Sequence, residues 1–278
     1  MREVSASRIR KAVKMLAIEC NLNLGEDMLT ALHAAHAREE SPNGKMVLEK
    51  LIENAELARA ERMPICQDTG LAVAFVEIGQ EVHVQGDIGA AINEGTRQGY
   101  KEGYLRKSAA DPITRVNTGD NTPVIIYYDL VPGDKMRISF MAKGGGAENM
   151  SILKMLKPSE GLAGIKRTVV EAVSQAGANP CPPVVVGVGI GGTFEFAALN
   201  AKKSLLRKLG TENPDSELAA LEGELLDEIN NLGIGPQGYG GLITALAVHI
   251  IRHSGHIASL AVAVNIQCHA NRHQTVEI

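Results

Sequence analysis

Apolar residues recur at three- and four-residue spacing in the first part of the chain, the pattern of helices with one buried face. Ile9 and Val13 belong to such a stripe, and Ser5 or Ser7 stands where an N-cap would lie. Ser41-Pro42 has the composition of another helix start. The predicted helices are 5–20, 26–39, 42–62, 87–106, 159–176, 194–209, 215–231 and 241–253.

Shorter segments carry continuous or alternating apolar residues, as strands do. The predicted strands are 71–78, 122–131, 135–143, 182–188 and the later part of 256–267. The strands 122–131 and 135–143 flank Pro132-Gly133-Asp134 and are predicted to form a β-hairpin. Segment 241–253 is apolar nearly all round, which predicts a buried helix.

Helices and strands mix throughout, and no low-complexity linker or repeat separates them. This organisation predicts a mixed α/β (α+β) fold in which helices pack around a mixed sheet. We expect residues 1–278 to form a single compact catalytic domain.

Composition argues against several classes of partner. The net charge is −4 with no basic run, and aromatic residues are only 3% with no Trp, so nucleic acid would find little attraction or stacking surface. The first residues lack the apolar segment of a signal peptide, and no apolar run reaches the length of a membrane-spanning helix. We therefore expect a cytoplasmic protein without a nucleic-acid or membrane partner.

The segment Met63–Gly70 places several polar groups in consecutive positions between a predicted helix and a predicted strand. Cys66, Gln67, Asp68 and Thr69 supply a thiol, an amide, a carboxylate and a hydroxyl. Functional residues are often carried by loops that rigid elements hold in place. This loop is therefore the first candidate site.

Three of the four cysteines adjoin turn or loop residues, whereas Cys20 lies near the end of a predicted helix. Their wide spacing is unlike a disulfide framework. Converging from three loops, Cys66, Cys181 and Cys268 could hold a cubic iron–sulfur cluster with one iron left open. A zinc site closed by a histidine is the alternative metal site, and burial as small apolar side chains is the structural alternative.

Glycine runs indicate tight turns or close approach of the backbone. Gly187–Gly192 matches G-x-G-x-x-G, but predicted helices follow it where a dinucleotide fold needs a second strand. We expect its amides to approach a cluster or a carboxylate instead. Lys143–Gly146 could form an anion-binding nest or a plain turn, and Gly235–Gly241 is similar in kind. Gly95, Gly99 and Gly103 recur every fourth residue, which predicts a close helix–helix contact.

Basic and imidazole side chains add further candidates. His249 and His253 have the spacing of a helical metal pair but lack the Glu of a zinc hydrolase motif. His256 follows Ser-Gly where a strand is predicted to begin, so its ring could point into a site. Arg106, at the end of a predicted helix, could bind a carboxylate in bidentate fashion. Taken singly, each of these residues could instead be an ordinary surface residue without a functional role.

Taken together, the motifs occur in the order found in a known family. The segments that carry the resemblance are Cys-Gln-Asp-Thr-Gly, Lys-Gly-Gly-Gly, Gly-Val-Gly-Ile-Gly-Gly-Thr, Gly-Pro-Gln-Gly-Tyr-Gly-Gly and the final Cys268. Over essentially its whole length the chain resembles the α subunit of class I (iron–sulfur) fumarate hydratases and the related L-tartrate dehydratases.

The resemblance implies a [4Fe–4S] cluster and a set of substrate contacts at matching positions. The implied cluster ligands are Cys66, Cys181 and Cys268. The implied substrate-binding residues are Gln67, Asp68, Arg106, Gly145 and His256. Among these, Asp68 and His256 are the implied catalytic residues.

The reaction implied first is the reversible hydration of fumarate to L-malate, a step of the tricarboxylic acid cycle, with the open iron as Lewis acid. Dehydration of L-tartrate to oxaloacetate is the alternative within the family. An NAD-dependent dehydrogenase using Gly187–Gly192 and a non-catalytic scaffold subunit are more remote.

Single-chain members of the family continue into a second domain that supplies further substrate-binding residues. We therefore expect a separate β subunit, an α2β2 assembly and a small dicarboxylate substrate. The open iron would make the enzyme sensitive to oxygen.

Overall fold

The computed structural model describes residues 2–278, whose contacts divide the chain into two compact units. The first unit contains the chain up to Gly25, Ala55–Gly145 and Arg272–Ile278. The second unit contains Glu26–Asn54 and Gly146–Asn271. The single catalytic domain expected over residues 1–278 stays a prediction.

Helices and strands mix throughout the described chain, which confirms the expected α/β class. In chain order the elements are β1 (Arg2–Ser5), α1 (Ala6–Leu22), α2 (Glu26–Arg38), α3 (Pro42–Glu61), β2 (Leu71–Gly79), β3 (Val82–Gln85), α4 (Ile88–Glu102), β4 (Ile125–Val131), β5 (Met136–Lys143), α5 (Gly145–Glu148), β6 (Ile152–Leu156), α6 (Gly161–Ala176), β7 (Val184–Gly191), α7 (Phe194–Ser204), α8 (Ser216–Asn230), β8 (Ala245–His253), β9 (Leu260–Gln267) and β10 (His273–Glu277). No helix within residues 2–278 has the length and apolar character needed to cross a membrane.

The first unit is built on a four-stranded sheet in the order β10-β5-β2-β4. The central strand β2 is apolar and mostly buried, as expected for a strand with neighbours on both sides. Helix α1 packs closely against α4, where a side-chain carbon on Gly95 would lie 2.6 Å from Arg10 O. A side-chain carbon on Gly99 would lie 2.9 Å from Lys14 O. These distances confirm the helix–helix contact predicted from the glycine spacing.

The predicted β-hairpin of 122–131 and 135–143 is wrong, although both strands exist. β4 and β5 do not pair with each other, because β2 lies between them, parallel to β4 and antiparallel to β5. The connecting turn crosses the end of β2, where a side-chain carbon on Gly79 would lie 2.3 Å from Gly133 O. The turn residues correctly indicated that the chain reverses direction. The mainly apolar β2, however, buries most of its surface when it lies at the centre of the sheet, between β4 and β5.

The second unit is built on a sheet in the order β6-β9-β7-β8. Strand β7 runs parallel to β8 and antiparallel to β9. Successive residues of β9 alternate between the two faces of the sheet. One face packs in an apolar core with α6 and α8, and the other packs through Ala261 and Ala263 against Ala197 and Ala201 of α7.

The predicted buried helix 241–253 is wrong, because most of this segment forms strand β8. Val248 and Ile250 lie in the core that contains α8. His249 faces the other way, and its Nδ1 lies 3.2 Å from Ser204 O at the end of α7. A strand covered on both faces has the same all-round apolar composition as a buried helix, so periodicity could not separate the two.

Glu39 follows α2 and binds main-chain amides from a distant part of the second unit. Its carboxylate accepts hydrogen bonds from Leu242 N at 2.9 Å and Ile243 N at 2.8 Å, and from the adjacent Glu40 N and Ser41 N. The residue is only 1% exposed. Burial opposes ionisation, but the N–H donors outweigh it and hold the pKa of Glu39 below its ordinary value.

We expect Glu39→Gln to lower the free energy of unfolding by about 1–3 kcal/mol at neutral pH, because charge-assisted hydrogen bonds are lost. The pKa of Glu39 is depressed on folding, so its stabilisation is present above the unfolded pKa of about 4.3 and is lost as pH falls through the folded value. Urea unfolding at neutral and acidic pH measures both effects. Glu40→Gln, at the exposed neighbouring position, is the control. An equal loss of unfolding free energy in Glu40→Gln would contradict the stabilising role assigned to Glu39.

Candidate active site

The Cys66–Gly70 loop lies where two antiparallel strands bring distant parts of the first unit to one sheet edge. Leu71, at the start of β2, pairs with Lys143 at the end of β5. The loop before β2 therefore lies beside the glycine triplet after β5. Gly70 has a φ of +73°, and a side-chain carbon there would lie 2.7 Å from the Lys143 backbone. Only glycine fits this crossing without strain.

Asp68 joins the two loops through its carboxylate. Its Oδ1 accepts a hydrogen bond from Gly70 N at 3.0 Å, and its Oδ2 accepts one from Gly145 N at 2.7 Å. The glycine triplet thus donates a main-chain N–H to an anion, and that anion is a side chain of the protein itself. Gly145 orients Asp68, while its direct contact with a substrate stays a prediction.

Cys66 and Gln67 present their polar groups next to a buried anchor. Ile65 is buried and donates its amide to Asn21 O at 3.0 Å. Cys66 is half-buried and Gln67 is exposed, with Cys66 Sγ lying 3.4 Å from Gln67 Oε1. The loop is therefore held at Ile65 and offers a thiol and an amide immediately afterwards.

The end of the loop is held by a set of hydrogen bonds that also includes the Arg106 backbone. Tyr100 Oη lies 2.7 Å from Thr69 O, and burial raises the pKa of this phenol, so it remains a donor. Asn121 Nδ2 donates to Gly70 O at 3.2 Å. Thr69 Oγ1 donates to Arg106 O at 2.9 Å. The exposed Arg106 therefore extends from a main chain that is tied to the candidate loop.

Arg272 belongs to this group of residues and was missed by the sequence analysis. It directly precedes β10, whose antiparallel pairing with β5 brings it to the same sheet edge. It is 2% exposed, and its Nη1 donates to Asp68 O at 2.6 Å. A single arginine in a short polar segment has no periodicity or motif that marks it. Its position soon after Cys268 was the only available indication.

Cys181 and Cys268 lie at one edge of the sheet in the second unit for a similar reason. Val185 of β7 pairs with Gln267 of the antiparallel strand β9, so the start of β7 meets the end of β9. His269 N donates to Cys181 O at 3.4 Å, which links the two cysteine segments through the main chain. Cys181 is exposed and Cys268 is half-buried.

The Cys181 segment is supported by Gln237, from the Gly235–Gly241 run. Gln237 Nε2 donates to Pro182 O at 2.7 Å and lies 3.1 Å from His269 Nδ1, which is also 3.1 Å from Cys181 O. Cys181 has a φ of +56° and Gln237 a φ of +52°. This left-handed conformation costs a residue with a side chain about 1–2 kcal/mol. Such strain is characteristic of functional sites, where the surrounding structure enforces it.

His256 lies in the second unit on the loop between β8 and β9, and not at the start of a strand. β9 begins only at Leu260, where burial of the chain resumes after an exposed segment. The His256 side chain is exposed, and its Nδ1 accepts a hydrogen bond from Ala258 N at 3.1 Å. With Phe194 and Phe196 it lines a cavity of about 670 Å³. His256 precedes β9 and Cys268 follows it, so the structure places these two candidate residues at opposite ends of the strand and does not bring them together in one chain.

The Gly187–Gly192 run allows a helix to pack directly on a strand. A side-chain carbon on Gly187 would lie 2.1 Å from Ala201 O, and one on Gly189 would lie 2.0 Å from Ala197 O. Both acceptors belong to α7, which therefore lies against the backbone of β7. The expectation that these glycines bring amides to a cluster or carboxylate is wrong for Gly187 and Gly189, because helix packing occupies the space.

The four thiols differ in their suitability as metal ligands. Cys20 is 1% exposed, and burial raises the pKa of its thiol to about 12, so it stays protonated at neutral pH. This confirms the expectation that Cys20 is a small buried side chain. Cys66, Cys181 and Cys268 are each at least partly exposed, and none of the four forms a disulfide.

The donor set fits an iron–sulfur cluster by its chemistry. Three thiols that form no disulfide are what a cubic cluster with one open iron needs, and Cys181 and Cys268 share one sheet edge. Within residues 2–278, no group of three His, Cys, Asp or Glu side chains is arranged to hold a metal ion. The ligand set Cys66, Cys181 and Cys268 therefore stays a prediction.

Known proteins resemble this chain along nearly all of its length. A family model described as Fumarate hydratase (Fumerase) matches residues 10–277. The chain is 44% identical over 272 residues to a "Putative L(+)-tartrate dehydratase subunit alpha" of Methanocaldococcus jannaschii, covering 95% of each chain. It is 32% identical over 281 residues to the L(+)-tartrate dehydratase subunit alpha of Escherichia coli strain UTI89, covering 100% of this chain and 93% of the relative. The corresponding protein of strain K12 is 31% identical over 279 residues, covering 99% and 92%.

We expect a thiol reagent such as N-ethylmaleimide to separate Cys20 from the other cysteines. In the cluster-free, folded chain, Cys181, Cys66 and Cys268 should be modified, with the exposed Cys181 first, whereas the buried Cys20 should react only after unfolding. Peptide mass spectrometry over a time course gives the rate for each thiol. The same reaction in urea is the control, where all four should react. Rapid modification of Cys20 in the folded chain would contradict its assignment as a buried thiol.

Proposed function

Because the chain belongs to the fumarate hydratase (Fumerase) family, we propose that it is the α subunit of an enzyme that dehydrates L(+)-tartrate to oxaloacetate. Membership of the family makes the protein a subunit of a hydro-lyase, and its relatives are α chains of a two-subunit form. One observation carries the choice of substrate. Relatives that align over at least 92% of their own length are named for L(+)-tartrate.

The proposed reaction breaks a C–O bond and a C–H bond on adjacent carbons of tartrate. The hydroxyl leaves from one carbon as water and the proton leaves from the next, which gives an enol that tautomerises to oxaloacetate. This proton is only weakly acidic, so negative charge that develops next to the carboxylate must meet donors fixed in advance. The chain's own residues can supply part of this set.

Cys66, Cys181 and Cys268 are the residues proposed to hold a [4Fe–4S] cluster. When bound, the cluster would supply a Lewis acid, its open iron, for the substrate hydroxyl and one carboxylate oxygen. Gln67 and Asp68 directly follow Cys66 in the chain, so they would lie close to a cluster that Cys66 binds.

Asp68 is proposed to orient the substrate hydroxyl. Each of its carboxylate oxygens accepts one main-chain N–H and retains capacity for another hydrogen bond. The carboxylate is thus fixed in direction and still able to accept a proton donor. Gln67, which is exposed, offers an amide as a second polar contact. Arg106 is proposed to bind a substrate carboxylate through its planar, bidentate guanidinium.

His256 precedes β9 and Cys268 follows it, so within one chain the two lie at opposite ends of this strand. The contact proposed between His256 and the developing anion, as a hydrogen-bond donor or proton carrier, would therefore be made by His256 of a second α chain in the complex. The base that removes the proton, and further carboxylate-binding groups, are assigned to a separate β subunit. We expect an α2β2 complex, and we expect the isolated α chain to have no significant turnover.

Hydration of fumarate to L-malate is the second candidate. It is favoured by the description of the family model that matches residues 10–277. The two substrates differ at the carbon that exchanges the proton, because tartrate carries a second hydroxyl there. A site built to hydrogen-bond a hydroxyl can reject an analogue without it by about 10⁴-fold, so the two activities can be distinguished kinetically.

We expect the anaerobically reconstituted α/β complex to prefer L(+)-tartrate. The measurement is kcat/KM for L(+)-tartrate, D-tartrate, meso-tartrate, L-malate and fumarate, with oxaloacetate or malate quantified directly. A preference for L(+)-tartrate over fumarate of at least about tenfold supports the proposal. Equal or greater kcat/KM for fumarate assigns the second candidate, and the absence of water addition or removal with every substrate excludes both.

We expect Cys66→Ser, Cys181→Ser and Cys268→Ser each to lose the cluster, because a hydroxyl is a poor substitute for a thiolate ligand. Iron and sulfide content and visible absorbance after reconstitution measure this loss. Cys20→Ala is the matched control and should retain a full cluster. A colourless wild-type protein that binds one zinc ion would instead support the alternative metal site.

A further inference from the structure

Arg272 places a buried positive charge directly beneath the candidate loop. It is 2% exposed, and the two acceptors of its Nη1 are neutral: Asp68 O at 2.6 Å and Asn21 Oδ1 at 3.2 Å. Its Nε has no hydrogen-bond partner within residues 2–278. Burying a charged guanidinium without a charged partner lowers the stability of the fold. We therefore expect Arg272 to have a role that offsets this loss.

Asn21 extends the contact of Arg272 to the other end of the loop. Its main-chain oxygen accepts a hydrogen bond from Ile65 N at 3.0 Å, while its side-chain oxygen accepts from Arg272. Arg272 is itself tied to β5, because Arg272 O accepts a hydrogen bond from Ala142 N at 3.0 Å. Positions 65 and 68 are therefore connected through one amide and one guanidinium, and Cys66 and Gln67 lie between them.

Gly144 lies beside both the guanidinium of Arg272 and the carboxylate of Asp68. A side-chain carbon on Gly144 would lie 3.3 Å from Asp68 Oδ2 and 3.4 Å from Arg272 Nη2. The absence of a side chain at Gly144 leaves room for both charged groups at this point.

We propose that Arg272 is a positioning residue that sets the geometry of Cys66, Gln67 and Asp68 through the Asp68 carbonyl and Asn21. The effect of Arg272 on loop geometry does not depend on what the protein catalyses. Its expected effect on catalysis rests on the proposed hydro-lyase function. Arginine suits the role because its planar guanidinium keeps its donors in fixed directions, whereas lysine would offer a flexible point charge.

The first test measures amide hydrogen exchange in the full-length α chain. Arg272→Lys keeps the charge and Arg272→Met removes it, and both should speed exchange in the peptide covering Ile65–Gly70 by about tenfold or more. Arg207→Lys is the control, since Arg207 is a half-buried arginine that binds Glu222 in the second unit. It should leave exchange in this peptide unchanged. Unchanged exchange in Arg272→Lys would overturn the proposal.

Asn21→Ala tests the same contact from the other end and leaves Arg272 in place. It should speed exchange at Ile65–Gly70 by about threefold or more, since the variant loses one of the two acceptors. This variant decides the question if the Arg272 substitutions do not fold. Exchange equal to wild type in Asn21→Ala would then overturn the proposal.

The second test uses the α/β complex. Arg272→Lys should lower kcat by about tenfold with little change in KM, because Arg272 acts through Asp68 and does not touch the substrate. A raised KM with unchanged kcat would overturn the positioning role and indicate direct substrate binding. If the wild-type complex shows no hydro-lyase activity, the proposed function fails, and the exchange measurements still decide whether Arg272 positions the loop.

Discussion

The antiparallel pairing of β2 with β5 is the constraint on which the candidate site in the first unit depends. It sets the beginning of one strand opposite the end of the other, so a loop near residue 68 meets a glycine triplet near residue 145. The pairing of β10 with β5 adds Arg272 at the same edge. Three segments that are far apart in the chain thereby contribute to one small group of polar atoms.

The second unit uses the same topological device. Strand β7 is antiparallel to β9, and the segments that meet at their shared edge carry Cys181 and Cys268. In both units a cysteine-bearing loop directly precedes a central, mainly apolar strand. Such a strand gains its stability from burial on both faces, which allows the adjoining loop to hold strained or exposed groups.

Two groups proposed to contact the substrate are exposed, while the residues that hydrogen-bond to the neighbouring main chain are buried. Gln67 and Arg106 are exposed, but Tyr100 and Arg272, which hold the neighbouring carbonyls, are almost completely buried. Buried hydrogen bonds are costly to break, because the partner left behind loses both the bond and its hydration. This arrangement can keep the geometry of the loop fixed before the proposed substrate and partner chain bind.

Local pattern predicted many of the helices and strands closely, because caps and the spacing of apolar residues act within one element. It failed where strand pairing or the type of element depended on segments distant in sequence. Strand 135–143 was paired with the wrong strand, and segment 241–253 was assigned to a helix. In both places the local pattern allowed two structures, and burial against distant segments selected one.

The identity of the chemical groups could be inferred from the order of motifs, since Cys66, Gln67 and Asp68 are consecutive in the chain. The groups that support them could not. Arg272 and Asn21 have no sequence pattern of their own, and each contacts a main-chain atom of this loop, which is distant from both in sequence. A contact with a main-chain atom can hardly be predicted from the amino-acid type of the residue contacted. Every residue has the same main-chain carbonyl, and nearly every residue has the same amide. Strand pairing in the folded chain therefore decided which side chains support the site.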